Sequence, residues 1–504
     1  MKTLKSASLD SFDAFCVDVE VTFTKGMPAF SIVGLAGSAI MESRDRIKSC
    51  LLSNDYKFPA SKITINLSPS DLKKTGSHFD LCIALLICLY DKRASFEDFY
   101  IFSELGLGGE LKDTQSIFSL VLSLYKQKRL KKVLVSKKSA QKLALIPNID
   151  IYCVETFKEA CDFFLENKKE EKRFTNINFE YDFFTINNKR YFFNHSYKED
   201  FKEVLGQTQA LRAALISACG NHNMLLLGSA GCGKSMISKR LQYIMPPMSE
   251  DEILEKANLL AINNEDISFS PLRVMRSPHH SSTKASIFGG GTTNAKIGEI
   301  ALCNNGILFF DELPHFPKMV LEALREPLED YKILISRVNS KTKYTTKFLF
   351  ISAMNPCPCG NLLSLLKVCR CSDLEIKRYE NKISEPLIDR IDLYVLMNEI
   401  DENKVETYSS SFMHEEVLRV FKIQKNREQE DLNGKLNDQD LKKYCFLDEK
   451  SKELLDKATK TYSLSFRSQN KVLKVARTIA DLNKNKNIGL NDLFEALSFR
   501  YKRK

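Results

Sequence analysis

The sequence predicts an α/β protein: a parallel-sheet core, preceded by a mixed α+β region and followed by a helical one. Three observations carry this expectation. "MLLLGSAGCGKSMISKRL" (residues 224–241) runs an apolar strand through a glycine-rich turn into an amphipathic helix. Between residues 201 and about 400, apolar strands alternate with helical stretches, as a parallel sheet requires. From Asp401 the spacing is helical almost to the end; in "NKVLKVARTIADL", Val472, Val475, Ala476, Ile479 and Ala480 share one face.

Taken in chain order, residues 1–165 mix short strands and helices. "KITINLSPSDL" reads as a strand entering a turn at Ser68-Pro69, and "FDLCIALLICLYD" as a mostly buried helix. Residues 166–200 shift in composition, from the charge run "ENKKEEKRF" to the aromatic "FEYDFFTINNKRYFFNHSY". They are expected to form a linker with some strand character. Residues 201–400 form the core and 401–504 the helical domain. A length of 504 residues suits roughly three domains. No repeat or low-complexity segment stands out.

Composition narrows the class. With 43% hydrophobic and 27% charged residues, the chain is an ordinary globular protein. "MKTLKSASLDSFDAF" has polar residues where an apolar leader would lie, and no apolar run reaches the ~20 residues of a bilayer span. Fourteen cysteines in such a chain imply reduced thiols and a cytoplasmic location, with no membrane partner. The net charge of +10 permits a polyanionic partner without requiring one.

The turn at 228–235 is G-x-x-x-x-G-K-S. Gly228, Ser229, Ala230, Gly231, Cys232 and Gly233 turn the backbone so that its N–H groups face phosphate oxygens, and the helix N-terminus adds its dipole. Lys234 would reach the β- and γ-phosphates of ATP, and Ser235 would ligate Mg²⁺. "GILFFDEL" delivers Asp311 as a second Mg²⁺ ligand and Glu312 to polarise the attacking water. "KFLFISAMN" ends at Asn355, whose amide could bond both γ-phosphate and water; alone, such an Asn is only a turn former. In "EPLIDRIDLYVL", two readings of Arg390 stand: a pair with Asp389 or Asp392, or a finger reaching a neighbouring subunit's phosphate.

Cys357, Cys359, Cys369 and Cys371 form two C-x-C pairs. Fourteen cysteines spread evenly would put about 0.4 in a 15-residue window, so four is an excess. Soft thiolates favour a Cys₄ Zn²⁺ site with Pro356, Pro358 and Gly360 setting the turn; free or redox thiols, then an iron–sulfur cluster, are the alternatives. His279 and His280 are adjacent, which suits turn hydrogen bonding better than one metal. Cys82 and Cys88 read as core. Cys232, at a helix N-terminus, is expected to have a lowered thiol pKa and to be open to oxidation, unless it is only a small tolerated side chain.

These motifs, with "ESRDRIKSCLLSNDYKFPASKITINLSPSDLKKTGSHFDLCIAL", "RSPHHSST", "GGGTTNAKIGEIAL", "LEALREPLED", "AMNPCPCG" and "ISEPLIDRIDLYV", span the chain. The sequence resembles the bacterial magnesium-chelatase-related AAA+ ATPases of the YifB/ComM family. The resemblance implies a Lon-protease-like, ribosomal-S5-type N-terminal domain, an AAA+ core with the cysteine insertion at 357–371, and a helical lid. It implies that Lys234, Ser235, Asp311 and Glu312 are the Walker residues and Asn355 is sensor 1. Arg390 would be the trans finger and Arg467 the lid arginine that senses γ-phosphate. The loop lacks the Pro-Pro that relatives usually carry after the first glycine, and Lys471 stands where they often have Arg. Ser77 is followed by bulky His78, Phe79 and Asp80, with no lysine clearly placed to activate it, so proteolysis is not expected.

The resemblance further implies a homo-hexameric motor on branched or single-stranded DNA, in recombination or natural transformation. Lys284 and Lys296 in one insertion, and Lys341, Lys343, Lys347 and Tyr344 in the hairpin before sensor 1, would track phosphates and stack on bases. A protein-remodelling ATPase, with the N-terminal domain as adaptor for a protein partner, is the alternative. A magnesium-chelatase motor subunit is the third reading.

Overall fold

A computed structural model of the chain describes residues 2–10, 13–96, 98–166, 169–290, 297–336, 341–364, 367–397, 408–462 and 464–500. It divides into two compact units: residues 1–180 with 257–269, and residues 181–256 with 270–504.

The first unit is built on an eight-stranded sheet of β1 (Thr3–Asp10), β2 (Asp13–Thr24), β3 (Ala29–Val33), β4 (Lys62–Ser68), β5 (Phe99–Phe102), β6 (Lys132–Ser136), β7 (Asp150–Val154) and β8 (Arg173–Phe174), in the order β8-β7-β6-β5-β1-β2-β4-β3. β1–β2 and β2–β4 pair antiparallel, while β5, β6 and β7 run parallel. Helices α1 (Ser38–Ser53) and α2 (Asp80–Cys88) cover it, and residues 80–87 are wholly buried, as their unbroken apolar run requires. Cys82 lies in this core and Cys88 packs partly buried against it.

The boundary differs from the one expected. β8 pairs with β7, so the chain up to Glu180 stays with the first unit. The aromatic stretch forms a hairpin, β9 (Asp182–Ile186) and β10 (Lys189–Phe193), that belongs to the second unit. Phe192 is buried and Tyr191 meets Phe421 edge-on at 5.0 Å. Rings of that size are buried rather than left on a free linker.

The second unit has a five-stranded parallel sheet. Its strands are β11 (Met224–Gly228), β12 (Met275–Arg276), β13 (Ile307–Phe310), β14 (Leu349–Met354) and β15 (Leu393–Met397), ordered β12-β13-β14-β11-β15. The phosphate-loop strand is therefore interior, flanked by β14, which leads into Asn355, and by the edge strand β15. Helices α3 (Thr208–Gly220) and α4 (Lys234–Leu241) precede and follow the loop. The C-terminal helices α5 (Ser410–Asn426), α6 (Glu449–Tyr462), α7 (Phe466–Leu482) and α8 (Leu490–Ser498) share one hydrophobic core with the sheet. The expected lid is thus packed continuously with the core rather than closed off by a core of its own. No described helix is long and apolar enough to cross a membrane.

Candidate nucleotide site

Parallel strands place their C-terminal ends on one edge, and that edge gathers most of the expected residues. Gly231 (φ +83) and Gly233 (φ +94) take left-handed conformations that glycine adopts without strain. At Gly228 a side chain would meet Cys232 Sγ at 2.7 Å and the Met397 carbonyl at 2.8 Å. Lys234 is buried and its Nζ donates to the carbonyls of Gly228 (2.7 Å) and Ser229 (2.8 Å) and to Asn355 Oδ1 (3.1 Å). Burial lowers its pKa, opposed by Cys232, Asp311 and Glu312. Ser229 Oγ is buried without a hydrogen-bond partner. An orphaned donor inside a loop of inward N–H groups is the environment a phosphate oxygen satisfies.

Ser235 Oγ donates to Asp311 Oδ2 at 3.0 Å, so the two expected Mg²⁺ ligands converge. Hard oxygens from a hydroxyl and a carboxylate, beside a phosphate loop, fit that ion. Glu312 is exposed, holds a left-handed backbone (φ +54) and lies 3.3 Å from His315 Nδ1. Tyr379 is buried nearby; burial pushes its phenol up to about 12, opposed by the Asn355 backbone N–H and reinforced by Glu312 and Cys357. Neither His315 nor Tyr379 was singled out from sequence, because nothing in the spacing around either residue assigns its side chain a role.

The cysteines do converge. Cys357 Sγ lies 3.4 Å from Cys359 and 3.7 Å from Cys369, Cys359 lies 3.6 Å from Cys369, and all four sulfurs fall within 4.8 Å of one another. Tetrahedral Zn–S bonds of about 2.3 Å place sulfurs about 3.8 Å apart, so one Zn²⁺ fits this donor set. The Asn361 and Arg370 amides pull the Cys359 thiol down to about 6. Gly360 (φ +78) brings this knuckle against the phosphate loop: a side chain there would sit 3.9 Å from Ala230 N and from the Asn355 carboxamide.

Arg390 and Arg467 are not brought to this edge. Arg390 does not pair with Asp389 or Asp392. Its guanidinium donates to Glu329 and to the carbonyls of Arg325 and Pro386. Asp392 is taken by Lys471 (2.6 Å) and by the Asn223 amide (2.8 Å). Burial would raise the Asp392 carboxyl, but Lys471, His222 and Lys435 bring it down to about 2. This gives Lys471 a role the sequence left open, as a buried counter-charge. Arg467 also binds Glu329.

Other expectations are corrected. The Cys232 thiol is raised, not lowered, because it is buried beneath the loop, and desolvation outweighs the Lys234 charge and loop amides. Tyr344 is buried and cannot stack on a base, and Lys347 is paired with Asp431 at 2.6 Å. Lys284 and Lys343 are exposed; Lys296 and the side chain of Lys341 lie outside the described residues. The His279 and His280 rings lie 4.1 Å apart, tilted by 35°, and His279 Nδ1 meets Ser281 Oγ at 2.7 Å in a turn. Ser77 bonds the Glu104 carboxylate. Near it, Lys74 is buried with its Nζ lacking a hydrogen-bond partner.

Three family descriptions together match most of the chain: "Magnesium chelatase, subunit ChlI" at residues 200–405, "Subunit ChlI of Mg-chelatase" at 19–139, and "Magnesium chelatase, subunit ChlI C-terminal" at 407–500. The chain is 34% identical over 494 residues to Competence protein ComM of Haemophilus influenzae, covering 96% of this chain and 94% of that one. The chain belongs to the magnesium-chelatase-related YifB/ComM family. Two further YifB/ComM relatives are YifB of Salmonella typhimurium (34% over 494 residues; 96% and 94% covered) and YifB of Escherichia coli (33% over 496 residues; 96% and 94%). The family is one of AAA+ ATPases, and the interior phosphate-loop strand belongs to that core.

Proposed function

We propose that this protein is an ATP-hydrolysing ring motor acting on DNA. The observation that carries the ATPase part is the convergence of Lys234 on Asn355 and of Ser235 on Asp311 at one sheet edge. Loop amides and Lys234 hold the triphosphate of ATP; Ser235 and Asp311 hold Mg²⁺, which neutralises developing charge when bound. Glu312 orients and polarises the water, and Asn355 links Lys234 to the reacting phosphate.

Arginine assistance comes from a neighbour in a homo-hexamer, since Arg390 and Arg467 touch no part of their own chain's loop. Such assistance is worth about 10³–10⁵ in turnover. The cysteine knuckle carries a structural Zn²⁺, and the N-terminal unit is a Lon-like adaptor.

DNA as substrate is supported by the printed name of the H. influenzae relative, a competence protein, and by the exposed Lys284 and Lys343. One observation favours the alternative, a protein-remodelling motor: Leu334, across the hairpin from Lys343, is exposed at 53%, an apolar contact better suited to a polypeptide. Phosphate release measured with single-stranded, duplex and four-way-junction DNA at two salt concentrations separates them. Stimulation that weakens steeply with salt supports the DNA motor. A rate indifferent to every DNA contradicts it and leaves the ATPase standing.

A further inference from the structure

Glu329 stands at the end of the short helix Arg325–Glu329, outside every motif that pointed to nucleotide chemistry. Its two carboxylate oxygens go to two different arginines, Oε2 to Arg390 and Oε1 to Arg467. The two arginines differ in what else holds them. Arg390 is 8% exposed, with two further donors on the carbonyls of Arg325 and Pro386. Arg467 is 54% exposed, and Glu329 is its one partner among the described residues. Both arginines line one cleft of about 560 Å³, with Lys435 and Lys474 also on its wall.

We propose that Glu329 is a positioning residue that joins Arg390 and Arg467 into a single two-arginine grip for the phosphate of a nucleotide bound by a second copy of the chain. Arg390, pinned by two carbonyls, is the fixed end. Glu329 anchors on it and aims Arg467, the exposed end. Without the carboxylate, two neighbouring guanidinium charges repel and Arg467 loses its only fixed partner. A guanidinium carries five N–H donors in a fixed fork, so with one nitrogen of each arginine held by Glu329 the other N–H groups of the pair remain aimed for phosphate oxygens. This inference rests on the hydrolysis reading above.

The test uses the full-length protein with ATP. Glu329→Gln keeps the size and removes the charge; Glu329→Asp keeps the charge on a shorter arm. We expect Glu329→Gln to lower kcat about tenfold while KM stays within about twofold, with Glu329→Asp recovering part of the loss. In the wild-type background Arg467→Lys should cost turnover, and in the Glu329→Gln background it should add little, because the grip is already lost. Wild-type kcat in Glu329→Gln, or an equal loss from Arg467→Lys in both backgrounds, overturns the proposal. Should Glu329→Gln lower the melting temperature, Glu329→Asp replaces it as the background for Arg467→Lys, and an equal loss from Arg467→Lys in wild type and Glu329→Asp again overturns the proposal. A wild-type protein that turns over no faster than Glu312→Gln would instead mark failure of the hydrolysis reading itself.

Discussion

Asn355 Oδ1 accepts a hydrogen bond from Lys234 Nζ at 3.1 Å, joining the end of one central strand to the first residue of the phosphate-loop helix. Asn355 directly follows β14 and Lys234 follows β11 across the glycine loop, so the parallel register of these two strands and the turn of the loop together set their approach. Asn355 is therefore tied directly to the loop that grips phosphate.

Their substitutions should part binding from turnover. Lys234→Ala removes the buried ammonium, and fluorescent-nucleotide titration should show ATP affinity lost. Asn355→Ala should bind ATP nearly as wild type while phosphate release falls by about 100-fold, the cost of one transition-state donor. Equal loss of affinity in both variants would contradict the division of labour.

The knuckle should report on the loop it touches. Metal analysis of protein purified without chelator should find one Zn²⁺ per chain, and none in Cys369→Ser with Cys371→Ser. Because Gly360 abuts Ala230 and Asn355, loss of metal should also weaken ATP binding. Gly360→Val adds a branched side chain at φ +78, costs about 1–2 kcal/mol in backbone strain, and should lower ATP affinity with Zn²⁺ retained. A metal-free variant with wild-type ATP binding would make the knuckle irrelevant to the site.

Asp392 is buried and lies 2.6 Å from Lys471, whose side chain is 15% exposed. Asp392→Ala leaves Lys471 without its counter-charge and should destabilise the second unit by about 3–5 kcal/mol, read in urea or thermal unfolding. Lys471→Arg, the residue relatives often carry there, should cost far less. Similar melting in all three proteins would show the pair to be dispensable.

Acid should weaken both units. Burial lowers the His78 and His414 rings to about 4 and His222 to about 3. Their unfolded rings titrate near 6.5, so below that pH the unfolded chain binds protons that the folded chain refuses. Stability is therefore full above about pH 6.5 and falls as pH drops towards 4, by about 2 kcal/mol at pH 5 for each such ring. Melting curves from pH 8 to 5 check the sign; His222→Asn, if it folds, should flatten the slope. Unchanged melting from pH 7 to 5 would contradict it.

The sequence made the nucleotide edge legible because its chemistry is local. Glycines, Lys234 and Ser235 are consecutive, while Asp311 and Asn355 each end an apolar strand whose register is fixed by burial. The cysteines were legible by density alone. What stayed hidden depends on pairing across distance. Arg390 has two acidic neighbours in sequence, yet takes Glu329, 61 positions earlier, because Lys471 has already claimed Asp392. The first boundary was misplaced for the same reason: β8 is two residues long and gains its place only from β7. Tyr344 looked like an exposed base-stacking ring because alternation in a hairpin does not say which face is covered.

The most direct measurement is steady-state phosphate release from Mg-ATP by wild type and Glu312→Gln, with nucleotide binding followed in parallel. The account predicts turnover in the wild type, near-complete loss in Glu312→Gln, and ATP affinity retained in both. Turnover undiminished in Glu312→Gln, or a wild type that binds no ATP, would contradict it.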